Sequence, residues 1–174
     1  MTFTTTSLFH ASTLAPARAL ELRQRVEAFH ADYCATLDSG SLEDWPGFFT
    51  EHGIYRVTAR ENAELGLPVG LVYCEGKGML QDRAVATNRT QMFAPRYMLH
   101  LVTNTRVTAE VADGAIKAQA NFLLMQTLVE GPTTVHMAGT YHDVFVVEGD
   151  RLLLKDRQVI YDSTIIANDL VYPV

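Results

Sequence analysis

The sequence predicts an α+β domain in which a long N-terminal helix lies in the concave face of a strongly bent antiparallel sheet. Four alternating runs separated by turn signals fill the C-terminal half, and a single long apolar helix face precedes them. No strand–helix–strand alternation occurs, which argues against a parallel sheet.

The helix is read between about residues 17 and 38, where Leu22, Val26, Phe29, Tyr33 and Leu37 recur at spacings of four, three, four and four. Gly40 ends it, since glycine tolerates the left-handed conformation that helix C-termini often need. Ser41 is placed to cap a second, short helix, with Asp44 as its capping-box partner and Leu42, Trp45, Phe48 and Phe49 packing inward. Residues 54–58 and 71–74 read as two strands joined by a polar loop holding Gly66 and Pro68. A third helix is expected between Lys77 and Thr90, followed by a loop from Gln91 to Arg96. The first long run, Met98 to Ala112, places Leu99, Leu101, Val107 and Val111 on one face, and Asp113-Gly114 turns the chain. The second puts Ile116, Ala118, Ala120, Phe122, Leu124 and Leu128 together; Val135 to Val147 and Arg151 to about Ile166 complete a meander. The order describes a cone of the nuclear-transport-factor-2-like (NTF2-like) or cystatin-like kind. Residues 17–174 form one domain, with residues 1–16 as a flexible Thr- and Ser-rich arm.

Composition excludes several classes. A formal net charge of -6 leaves no basic footprint for nucleic acid. No apolar stretch approaches the roughly 20 residues that span a bilayer. The first residues lack the basic and apolar regions of a signal peptide, and two cysteines make no disulfide framework, so a cytoplasmic setting is expected.

Six histidines raise the question of a metal. His136 and His142 share a strand face, but six strand residues span about 20 Å, too far for one ion. His142 and Asp143 point to opposite faces, and no other His pair has helical spacing. Cys34 and Cys74 begin no cluster motif, and no phosphate loop or nucleophile elbow occurs. A cofactorless acid–base site is the remaining catalytic option. Tyr33, Tyr55, His100, Tyr141 and Asp156 could project into the cone, which would suit a dehydratase or isomerase. The competing reading makes His100 and the tyrosines hydrogen-bonded core residues. A small-ligand binding module is a third possibility.

Charged side chains inside strand-like segments form a second set: Arg60-Glu61-Asn62, Asp82-Arg83, Arg96, Asn104-Thr105-Arg106 and Asp156-Arg157. Such groups are costly unless paired, so together they predict a polar network that fixes loops or meets another subunit.

At these residues the chain resembles the small (beta) subunits of Rieske-type aromatic-ring-hydroxylating oxygenases. The matching stretches are Leu37-Asp38, Glu43-Asp44-Trp45-Pro46-Gly47-Phe48-Phe49, Tyr55-Arg56-Val57, and Arg60-Glu61-Asn62 with Gly66-Leu67-Pro68. Met79-Leu80-Gln81-Asp82-Arg83, Arg96 to His100, Gly139-Thr140-Tyr141-His142-Asp143, Tyr161-Asp162-Ser163-Thr164 and Tyr172-Pro173-Val174 continue the series. The resemblance implies a structural, non-catalytic chain in a hexamer of three alpha and three beta subunits. The alpha subunit would hold a Rieske [2Fe–2S] cluster and a mononuclear Fe(II), and a separate reductase would supply electrons. Trp45-Pro46, Arg60-Glu61-Asn62 and Tyr161-Asp162-Ser163 look most like the salicylate 5-hydroxylase and terephthalate dioxygenase branch, which implies an aromatic carboxylate as substrate.

Overall fold

Helix α1 spans Pro16–Asp38, with proline where a helix can do without an N–H. The predicted stripe of Leu22, Val26, Phe29, Tyr33 and Leu37 is buried, and His30 and Cys34 are buried beside it. The structure, a computed structural model, describes residues 7–90, 94–163, 165–166 and 172–174. The first six residues of the expected arm, residues 91–93 of the expected loop, and Thr164 of the closing motif lie outside that set.

Gly40 adopts φ 81°, as a residue just past a helix end must when the chain turns back sharply. A 3₁₀ helix, Leu42–Phe48, follows and buries Leu42 and Trp45. Ser41 does not cap it: its hydroxyl meets that of Ser39 at 3.1 Å, and its carbonyl accepts the Asp44 N–H at 3.0 Å. Backbone turn bonds thus replace the expected capping box.

Strand β1, Phe49–Ala59, runs directly into α2, Arg60–Glu64, a single short turn where a polar loop was expected. Strand β2, Val72–Glu75, pairs antiparallel with β1. Helix α3, Gly76–Val85, buries Leu80 and Ala84, and a π-type turn covers Ala86–Thr90. The meander comprises β3 Arg96–Glu110, β4 Ile116–Leu128, β5 Thr133–Glu148 and β6 Arg151–Tyr161. The six strands form one sheet in the order β2-β1-β6-β5-β4-β3.

Two features depart from the predicted sheet. It is mixed, because β1 lies parallel to β6. The meander leaves one free edge at β6, and the helices and strands between β1 and β6 act as the long crossover that a parallel pair needs. The alternation in β3 is also broken. The register with β4 shifts between Thr103 and Arg106, and Asn104 sits at φ 55°. A single shift of this kind reverses which side chains face inward. Met98 and His100 are therefore buried with Val107, while Leu99 and Leu101 face outward at 49% and 45% exposure.

The arm from Ser7 onward lies against the sheet. Thr13 donates its N–H to the Thr108 carbonyl at 2.9 Å, and the Gln119 amide donates to the Leu8 carbonyl at 2.7 Å. The core sits between α1 and the inner sheet face, where Trp45, Phe49, Tyr55, Phe122, Tyr141 and Phe145 are buried. Each such side chain contributes about 1.5–3 kcal/mol by leaving water.

Gly139 on β5 marks the closest approach of two strands. A Cβ there would run into the Ile160 carbonyl oxygen and come within 2.8 Å of Tyr161 Cα. Gly139→Ala should therefore push β5 from β6 and lower stability by about 3 kcal/mol, read as a reduced urea midpoint. An unchanged midpoint would refute this packing.

Candidate functional site

The sheet's inner face carries a buried ionic group. Arg157 on β6 and Asp143 on β5 are register partners, and both point inward from adjacent strands. The guanidinium donates Nε to Oδ1 at 2.8 Å and Nη2 to Oδ2 at 2.7 Å, a bidentate fork. His30 on α1 completes the group, its Nε2 lying 3.0 Å from Asp143 Oδ2. The Arg157 guanidinium is held between the Tyr33 and Tyr141 rings, 4.2 Å and 4.3 Å from their centroids. Burial alone would raise the Asp143 carboxyl, but the Arg157 charge and the His30 hydrogen bond outweigh it and hold it below its usual value. Burial pushes His30 the other way from a charged imidazole, so it is held neutral.

Around this group the tyrosines are structural. Trp45 donates Nε1 to the Tyr33 hydroxyl at 2.8 Å, and Tyr33 donates to the Val174 carbonyl at 3.2 Å. The Val174 N–H in turn donates to the Tyr55 hydroxyl at 2.9 Å. Burial pushes the phenols of Tyr33, Tyr55 and Tyr141 above their usual range, so they remain protonated.

Of the expected acid–base set, Tyr33, Tyr55, Tyr141 and His100 face the interior and Asp156 does not. Asp156 has the opposite parity to Arg157, faces outward, and pairs with Arg56 at 2.7 Å. Burial pushes its carboxyl up, with Arg56 acting in opposition. His100 does face inward, but its Nδ1 is engaged by Asp38 at 2.6 Å, and its backbone N–H donates to the same carboxylate. That contact ties the end of α1 to β3. The carboxylate among the tyrosines is Asp143, whose partner Arg157 lies between the Tyr33 and Tyr141 rings. Its signal was its parity match with Arg157 across an expected hairpin. An acid–base reaction there needs access to His30, which is 3% exposed.

Among the described residues, several members of the charged set make local contacts. Arg60 forms a fork with Asp162, at 2.6 Å and 2.9 Å, which fastens the chain after β6 to α2. Asn62 reaches the Val69 carbonyl at 3.4 Å, and Arg96 donates to Gln126 at 3.2 Å. Arg106 lies over the Phe9 ring at 4.7 Å. Glu61 and Asp82 are exposed, and Arg83 is half-buried on α3. Arg157 is wholly buried, so its role is in the core and not at a subunit surface.

Among the described residues, no three His, Cys, Asp or Glu side chains cluster as metal ligands would. A bulge at His136 interrupts the alternation between it and His142. Burial pushes the Cys34 thiol up to about 11 and also raises Cys74. No described helix is long and apolar enough to cross a membrane.

The outer face is apolar where β3 meets β4 and β5. Tyr97, Leu99, Leu101 and Val135 are exposed, with Leu123 and Met125 half-buried between them. Residues 34–168 match the family model described as the ring hydroxylating beta subunit. The chain belongs to this family.

The anthranilate 1,2-dioxygenase small subunit of Burkholderia cepacia is 36% identical over 142 residues, 82% of this chain and 88% of that one. The beta 1 subunit of the terminal oxygenase component of terephthalate 1,2-dioxygenase from Comamonas sp is 31% identical, covering 86% and 97%. A solved beta subunit assigned to an aromatic-ring-hydroxylating dioxygenase of Novosphingobium aromaticivorans superposes with a TM-score of 0.80 at 35% identity, over 89% of this chain and 98% of that one. The beta subunit described here therefore has the expected NTF2-like α+β fold and is a subunit of a ring-hydroxylating dioxygenase.

Asp143→Asn would leave the Arg157 guanidinium buried without its counter-charge and should cost about 3–5 kcal/mol in urea denaturation. His30 and Asp143 both hold protons less tightly in the fold than in the open chain. Stability should therefore fall as pH drops below 6.5 for His30 and, further, below 3.8 for Asp143. His30→Gln should flatten the first of these two losses while leaving the second, as measured by denaturation at a series of pH values.

Proposed function

We propose that this beta subunit is the non-catalytic, structural component of a cytoplasmic Rieske-type oxygenase that hydroxylates an aromatic carboxylate in aromatic compound catabolism. Its partner alpha subunit would carry the Rieske [2Fe–2S] cluster and the mononuclear Fe(II). A separate reductase would deliver electrons, and three alpha and three beta subunits would form the hexamer. The observation that carries this reading is the apolar outer face of β3, β4 and β5. Tyr97 is 69% exposed and Val135 60%, on a part of that face that no described element covers. Contiguous apolar surface of this kind marks a protein interface, and obligate subunits bury the largest such surfaces. A second group on the other side of the molecule, Leu67, Val69, Leu71 and Tyr73, is also exposed. Two separate apolar regions suit a subunit with two kinds of neighbour. The names of the relatives support the substrate class, since anthranilate and terephthalate are both aromatic carboxylates.

Co-expression with the adjacent oxygenase subunit tests this. Wild-type chain should co-purify with an iron-containing partner, and alone it should show no oxygenase activity and bind no iron. Leu101→Glu should abolish co-purification while changing the chain's own stability by no more than about 0.5 kcal/mol. Oxygen-dependent turnover by the lone chain, or a complex untouched by Leu101→Glu, would overturn the assignment.

A further inference from the structure

The arm, the first turns of α1 and the sheet enclose a cleft of about 690 Å³ that none of the pairings above explains. Its volume falls within the range of small-molecule sites. The break in β3 builds one wall. A regular strand would present every second residue, yet Asn104, Thr105, Arg106 and Val107 all line the cleft. Leu8 and Phe9 of the arm and Leu20 of α1 supply an apolar side.

The electrostatics are one-sided. Arg23, Arg60, Arg106 and His142 line the cleft, and no Asp or Glu does, although the chain as a whole is acidic. Arg60 is neutralised by Asp162, and Arg23 reaches Glu27 at 3.4 Å. Arg106 has no carboxylate within ion-pair distance among the described residues. Its flat face is taken up by Phe9, and its N–H edge meets no described protein acceptor. The Thr140 hydroxyl, also on the cleft, is buried and without a hydrogen-bond partner. His142 is pushed down by burial first and then by His10 and Arg60, so the surroundings already disfavour added positive charge.

We propose that this cleft binds a small organic monoanion with a flat apolar body, of the aryl carboxylate class. The carboxylate meets the N–H edge of Arg106 and draws on the Thr140 hydroxyl, and the ring packs on the apolar side formed by the arm and α1. One uncompensated guanidinium suits a single negative charge better than a phosphate, and the apolar wall favours an anion that carries a ring over a bare ion. A bidentate carboxylate contact is among the strongest available to arginine. The site stands on the cleft alone, apart from the assembly proposed above, so a chain that binds no alpha subunit can still bind benzoate.

Titration of sodium benzoate into the full chain, followed by calorimetry and amide chemical shifts, tests the site. The expected result is saturable binding of one benzoate per chain, with benzamide and sulfate both much weaker. Arg106→Gln should weaken benzoate about tenfold or more. Thr140→Val should weaken it severalfold, and both variants should keep the unliganded melting temperature. Equal binding of benzamide, or of sulfate, would overturn the proposal, as would benzoate affinity unchanged in both variants. Benzoate binding that is lost in the co-purified complex would also overturn it, by showing that a partner side chain is the occupant.

Discussion

The fork between Arg157 and Asp143 is the constraint on which the rest of the beta subunit depends. Both groups are withdrawn from water, and such a pair gains little net stability over well-packed apolar residues of the same volume. What it does impose is geometry. Slipping β6 by one residue against β5 would send Arg157 to the outer face and strand Asp143 inside. The carboxylate's second contact, to His30, sets the rotation of α1 over the sheet. Of the two tyrosines that hold the guanidinium, Tyr33 is fixed by Trp45 and the Val174 carbonyl, and Tyr141 stacks on Phe122. Register, helix position and closure of the cone are thus specified by one buried charge pair.

This arrangement separates the two faces of the sheet. The inner face is built around Arg157 and Asp143, and its histidines, His30 and His100, are buried against the carboxylates of Asp143 and Asp38. The outer face carries what a partner can meet: apolar side chains on β3, β4 and β5, and a cationic cleft beside them. The same irregularity in β3 contributes to both. It turns Leu99 and Leu101 outward, and it aligns four successive residues along the cleft. A bulge that exposes two leucines costs the monomer buried area, which makes sense in a chain that recovers it by association.

Much of the fold was legible in the chain because periodicity and turn residues agree with the tertiary structure. The α1 stripe, the four meander strands and the Asp113-Gly114 turn each follow from local pattern. The outward turn of Leu99 and Leu101 was not legible, since a run of alternating residues carries no mark of the point where register shifts; only the short polar stretch Thr103-Asn104-Thr105 hinted at it. The parallel pairing of β1 with β6 is a matter of topology, invisible to local pattern. The candidate site is hidden from local pattern for a related reason. Asp156 and Arg157 are neighbours in sequence and were grouped together, but strand alternation sends one to a surface pair with Arg56 and the other into the core. His30 and Asp143 lie far apart in the chain, and only tertiary packing joins them.

The buried ionic group also decides what fills the interior of the cone. A guanidinium occupies the interior, flanked by two tyrosine rings and chelated by a carboxylate. Moving it aside would leave its charge or that of Asp143 uncompensated in a low-dielectric interior, a penalty of several kcal/mol that ordinary substrate binding would have to exceed. The inner face is therefore held in place by the same interaction that defines the fold.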